Sequence, residues 1–275
     1  MIDAPWVTVS VHPGRDRAAA LASLFQAGAE SVQELGDNFV THVPDQFRAD
    51  ALLCAVVAAC PDARVDTTPL DVVDWSEHWK DGLRAHRVGE LVIAPPWLAD
   101  RCSPDRCIVI EPAMAFGTGD HATTRGVVRL LAGVIRPGDR VADLGAGSAV
   151  LSIAAAKLGA SHVAAIEIDP DAIGNAEENV RRNGAADRVV VIEGDAQLLL
   201  PLVAPVRVIA ANILSWVILE LLPAMAAALA EDGRAVVSGM LTSERASMIE
   251  AFAAAAWRLE AEDSEDGWWS ATIAR

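Results

Sequence analysis

Residues 141–170 read VADLGAGSAVLSIAAAKLGASHVAAIEIDP. Val141 to Leu144 form a short apolar run carrying Asp143. Gly145-Ala146-Gly147 follow at once, and Val150, Leu151, Ile153, Ala154 and Leu158 then recur with helical spacing. This predicts a strand, a tight glycine turn and a helix. A second strand, Val163 to Ile168, carries Glu167 at its end. Asp169 then stands as a helix cap, with Pro170 as the first helical residue, where a missing N–H costs nothing. The unit is βαβ, an arrangement suited to a nucleoside.

Glycines at 145 and 147 let a ligand approach the backbone, and the following helix turns its unpaired N–H groups and positive dipole end toward an anionic group. Glu167, 22 positions after Gly145, falls where it can accept both ribose hydroxyls at the switch point of a sheet. A dinucleotide fingerprint needs a third glycine three positions after Gly147, and that residue is Val150. The D-x-G-x-G spacing from Asp143 to Gly147 resembles instead the first motif of S-adenosylmethionine (SAM) methyltransferases.

The chain of 275 residues can bury a full core in one large or two smaller domains. No apolar run approaches the roughly 18 residues of a membrane span, and the start MIDAPWVTVS has neither a basic leader nor an apolar core. A soluble, cytoplasmic protein without membrane association is expected. Acidic residues number 38 against 22 basic, a net charge of −16, which argues against nonspecific attraction to nucleic acid and is compatible with a basic protein substrate or with a merely solubilising surface. Cys54 and Cys60 lie in an apolar helical run and are expected in the core, while Cys102 and Cys107 flank a Ser-Pro-Asp-Arg turn; no metal site is expected.

Residues 1–70 read strand, helix, strand, strand, helix, strand, a pattern that predicts a small ferredoxin-like α+β domain. It holds nine acids against four arginines and no catalytic cluster, so recognition is its expected role. Residues 71–105 read as a linker that packs, since Trp75, Trp79 and Trp97 would hardly be left in water; Asp74 to Lys80 is expected as a short helix.

Residues 106–275 form the expected catalytic domain. A strand ends at Glu111, and a loop through Phe116, Gly117 and Gly119 leads to a helix starting near His121 to Thr124. That loop can wrap a ligand, with Thr124 offering its hydroxyl, or Asp120 or Thr123 can simply cap the helix. Asp195 ends a third strand, where it can accept from an adenine amino group or only make a turn. A fourth strand ends in Asn212-Ile213-Leu214, so Asn212 projects into the same crevice.

Together, Ala115-Phe116-Gly117-Thr118-Gly119-Asp120-His121-Ala122-Thr123-Thr124, Asp143 to Ser148, Glu167-Ile168-Asp169-Pro170 and Asn212-Ile213-Leu214 resemble the bacterial methyltransferase family of large-subunit ribosomal protein eleven. Nearly the whole chain fits. The resemblance implies an α/β, Rossmann-like class I SAM methyltransferase sheet behind a substrate-binding N-terminal domain. It also implies SAM as cofactor and amino groups of that ribosomal protein as acceptors. A monomer that binds no DNA is expected. Thr124, Gly145, Glu167 and Asn212 are the implied SAM contacts, with Phe116, Gly147 and Asp195 beside them and Asn212 catalytic.

The family usually carries threonine at Asp120, proline at Ala122, glycine at Ala149 and aspartate at Glu167. Glu167 remains a bidentate acceptor, Ala149 is expected to tolerate its methyl group at a helix start, and Asp120 adds negative charge near the incoming amine. Other readings of the same scaffold are a different acceptor molecule, a nicotinamide dehydrogenase, which Val150 disfavours, and a SAM-binding regulatory module, against which Asn212 speaks.

Overall fold

The computed structural model describes residues 6–29, 31–69, 83–112, 117 and 119–275. The chain divides into two compact units, Met1–Gly82 and Leu83–Arg275. The expected helix at Asp74 to Lys80, together with Trp75 and Trp79, lies outside the described residues.

The first unit alternates β1 (Val7–His12), α1 (Arg17–Gln26), β2 (Gln33–Leu35), β3 (Asn38–Val43), α2 (Gln46–Ala59) and β4 (Arg64–Pro69). Its sheet runs β2-β3-β1-β4, with every adjacent pair antiparallel. This is the ferredoxin-like order the sequence predicts. Asp16 and Asp45 cap the two helices through their side chains. The stripe Ala49, Leu52 and Val56 buries one face of α2 against Val9, Val11 and Phe39. Cys60 is buried as expected, but Cys54 is exposed, because it stands off that stripe.

The second unit begins with a three-stranded sheet, β5 (His86–Val88), β6 (Leu91–Ala94) and β7 (Cys107–Val109). Residues 83–105, read from sequence as part of a linker, therefore fold with this unit; Val88, Leu91 and Ile93 join its main core. Trp97 stays 38% exposed, and Cys102 and Cys107 are joined in a disulfide across the turn they flank.

The large sheet runs β10-β9-β8-β11-β12-β14-β13, with β8 Arg140–Leu144, β9 His162–Glu167, β10 Val189–Glu193, β11 Val206–Asn212, β12 Leu229–Leu241, β13 Arg258–Glu265 and β14 Trp268–Ala274. Its first five strands are parallel and β14 is antiparallel to both neighbours. Helices α3 (Ala122–Val134), α4 (Val150–Lys157) and α5 (Pro170–Arg182) cover one face, and α6 (Ala196–Val203), α7 (Ser215–Ala228) and α8 (Arg245–Ala254) the other. Period-two alternation sorts the strands between these cores. Val208 and Ala210 meet the first set of helices and Ile209 and Ala211 the second, so Asn212 turns toward α3. Asp143 shares parity with Val141 and faces the same way.

From β8 the chain winds outward through β9 and β10, then returns to β11 on the other side of β8. The switch point lies between the carboxyl ends of β8 and β11, where a crevice must open. Lys157, at the end of α4, donates to the Pro104 carbonyl at 2.9 Å, and desolvation holds its ammonium below the usual lysine pKa.

Candidate active site

Gly145 and Gly147 end β8 with φ of 71° and 51°, left-handed values that favour glycine. A Cβ on Gly145 would stand 2.6 Å from Ile213 Cγ2, so the turn also needs the missing side chain for its fit against β11. Ala149, the cap of α4, takes φ 63° and ψ 19° while fully buried. The methyl group that the sequence is expected to tolerate at this helix start stands on left-handed backbone, a conformation that costs a residue with Cβ about 1–2 kcal/mol.

Glu167 folds back over this turn. Its Oε2 accepts from the Gly147 N–H at 2.7 Å, and its Oε1 accepts from the Ile168 and Asp169 N–H groups at 2.8 and 2.9 Å. Three main-chain donors thus fix the carboxylate at the mouth of the crevice, and any ribose hydroxyl shares oxygens already engaged. Asp143 is fully buried; Oδ2 accepts from Ser152 at 2.6 Å and Oδ1 has no partner among the described residues. Burial pushes its pKa up to about 6 against the Ser152 hydrogen bond, and the Glu167 charge adds to the rise.

On the opposite wall Thr124 is fully buried in the first turn of α3, and Asn212 Nδ2 approaches its Oγ1 at 3.5 Å, leaving the amide oxygen as the acceptor of that side chain. His121, rather than Asp120 or Thr123, caps α3, and its ring meets Trp268 edge-on at 4.8 Å. Asp120 does not reach the crevice: His86 Nε2 holds its Oδ1 at 2.6 Å, which turns the extra negative charge toward β5.

These groups enclose a cavity of about 650 Å³, within the range of small-ligand sites. Thr124, Gly145, Gly147, Glu167 and Asn212 all line it, together with Gly117, His121, Leu214 and Trp268. Asp195 lines a second space of about 360 Å³ beside Trp216 and Glu220, sharing Gly145, Ile168, Ile213 and Val217 with the first. Its Oδ1 caps α6 through the Gln197 N–H at 2.7 Å, so the turn-forming role is real and leaves the second oxygen for a ligand. Phe116 lies outside the described residues.

His121 and Trp268 were not singled out in the sequence. For Trp268 a signal existed: in a strand, adjacent tryptophans face opposite ways, and with Trp269 fully buried its neighbour must face elsewhere.

Among the described residues no lysine or arginine lines either space, whereas Glu167, Asp169, Asp195 and Glu220 do. A pyrophosphate would find no cationic side chain here. A cationic ligand would be welcome. SAM, with an ammonium and a sulfonium, fits this set of groups. No cluster of three or more potential metal ligands occurs among the described residues.

Comparison with known proteins agrees. The family model described as Ribosomal protein L11 methyltransferase (PrmA) matches residues 21–275. A ribosomal protein L11 methyltransferase of Pelotomaculum thermopropionicum is 40% identical, over 81% of this chain and 73% of its own length. One from Bacillus cereus is 33% identical over 98% of this chain and 99% of its own. The crystal structure of a ribosomal protein L11 methylase from Lactobacillus delbrueckii subsp. bulgaricus superposes with a TM-score of 0.62 at 30% identity, covering 70% of this chain and 99% of that one. The chain belongs to the ribosomal protein L11 methyltransferase family.

Proposed function

We propose that this chain methylates amino groups of ribosomal protein L11, lysine side chains and the N-terminal amine alike, with SAM as donor. The observation that carries the reading is the cavity itself, acidic at its edge, free of lysine and arginine among the described residues, and walled by Thr124 and Asn212 opposite the glycine turn. When bound, SAM supplies an electrophilic methyl group on a sulfonium.

The chain's own residues do the rest. Gly145, Gly147 and the start of α4 would hold the amino-acid end; Glu167 would take the ribose and Asp195 the adenine. A lysine amine has a pKa of about 10.4 in water and must lose a proton to expose a lone pair. Ile213 and Leu214 flank the entrance with apolar surface, which disfavours the ammonium and lowers that pKa without a strong base. Asn212 would accept an N–H through Oδ1 and so turn the lone pair inward. Most of the acceleration is then positioning. Methylation keeps the positive charge while removing donors, so the product differs mainly in what it can hydrogen bond.

The N-terminal unit would recognise the protein substrate, residues 106–275 would carry the chemistry, and the enzyme would act as a cytoplasmic monomer without DNA or membrane. No helix among the described residues is long and apolar enough to cross a membrane. The test is methyl-labelled SAM with the purified chain and L11, followed by mass spectrometry. Label on L11 that falls at least about 100-fold in Asn212→Ala, with S-adenosylhomocysteine still bound, is the expected result. Label on another protein would reject the substrate, and binding without transfer would favour a regulatory module.

A further inference from the structure

Three asparagines stand at intervals of four along α5 and its end: Asn175, Asn179 and Asn183. Their side chains grip the main chain that leaves β7. Asn183 accepts from the Val109 N–H at 2.8 Å and donates to the Val109 carbonyl at 2.7 Å. Asn179 accepts from the Glu111 N–H at 2.8 Å, and Asn175 donates to the Glu111 carbonyl at 3.2 Å. Alternate residues along one edge of a strand thus have both donors and both acceptors met, as a neighbouring strand would meet them, but by a helix.

Asn179 does more than this. It is fully buried, and its Nδ2 donates to the carbonyl of Ser148, inside the glycine turn, at 3.1 Å. Ser148 in turn donates through Oγ to the Gly117 carbonyl at 2.8 Å, and Gly117 and Gly147 both line the cavity. Asn179 itself does not line it. Packing alone does not call for an amide here, since burying one is costly unless its bonds are made, whereas a satisfied amide fixes distances that an apolar side chain would leave loose.

We infer that Asn179 is a positioning residue of the cofactor site, holding the glycine turn in register with the strand end at Glu111 and, through Ser148, seating Gly117 against the cavity. The inference rests on reading that cavity as the SAM site. Asn179→Asp keeps the acceptor for the Glu111 N–H and replaces the donor to Ser148 with a second acceptor. Asn183→Ala removes two bonds of the same ladder and a third to the Asn179 carbonyl, none of them to the turn.

The experiment is calorimetric titration of S-adenosylhomocysteine into the full chain and these variants, well below each Tm, with amide hydrogen exchange of residues 145–149 on the same samples. Expected are a Kd at least tenfold weaker and faster exchange of the turn in Asn179→Asp, against a Kd within twofold and unchanged exchange in Asn183→Ala, even where both lower Tm alike. Should Asn179→Asp fail to fold, Ser148→Ala, which cuts the link to Gly117, is expected to weaken Kd in the same way. Equal Kd and equal exchange in all variants would overturn the positioning role. Failure of the unmodified chain to bind S-adenosylhomocysteine would instead overturn the cofactor reading, and the positioning of that site with it.

Discussion

Ala149 shows how several small terms settle one position. The left-handed backbone costs alanine about 1–2 kcal/mol. Glycine would remove that cost but lose about 0.5–1 kcal/mol to chain entropy and about 0.8 kcal/mol of buried methyl. The terms nearly cancel, so Ala149→Gly is expected to change stability by less than about 1 kcal/mol, whereas Ala149→Val, β-branched at positive φ, should cost more than about 2 kcal/mol in urea unfolding. Asp143 gives the opposite case, a residue kept at a standing cost. With its pKa raised from 3.8 to about 6, the folded chain holds a proton that the unfolded chain releases between those values. Stability from this group therefore falls as pH rises through that window, and a loss of about 3 kcal/mol is complete by neutral pH. Without cofactor, Asp143→Asn should be more stable than the parent by about 1–3 kcal/mol at pH 7.5, with the difference vanishing near pH 4. An equal effect at both pH values would show that the carboxylate's charge is not the cause.

Among the elements, α3 begins at Ala122, preceded by His121 at φ −82° and ψ 138°, the extended geometry that a following proline demands. The first helical N–H has no intrahelical acceptor. Ala122→Pro is thus expected to raise stability by about 0.4–1 kcal/mol in thermal unfolding, chiefly by restricting the unfolded chain. Signals of this local kind are what the sequence exposes well: Asp169 and Pro170 open α5 where the residue types predict, and the alternation in β11 leads to Asn212. Bonds between distant elements leave no such trace. The grip of His86 on Asp120 and of three asparagines on the 109–111 main chain depends on which surfaces meet, and no periodicity encodes that. The exposure of Cys54 was legible in principle, since it breaks the stripe at Ala49, Leu52 and Val56.

At the level of the whole molecule the topology was readable because the βαβ unit with its glycine turn admits few closures, and Asp143, Gly145, Glu167 and Asn212 meet at the switch point that this topology forces. The walls added by His121 and Trp268 were not, because the closing hairpin reaches the cavity only through the sheet order. The net charge of −16 acts at this scale too. Its field should draw in a lysine-bearing protein and be screened by salt, so KM for L11 is expected to rise several-fold between about 50 and 300 mM salt while S-adenosylhomocysteine affinity stays constant. Lys157, tied to the Pro104 carbonyl, is one of only two lysines in the chain, the other being Lys80. An enzyme whose trade is amines therefore carries almost none of its own. Amine-directed reagents would leave it nearly unmarked, so that a mixture of enzyme and substrate treated with an acylating tag becomes a footprint of the substrate alone, with protected sites marking where the two proteins touch.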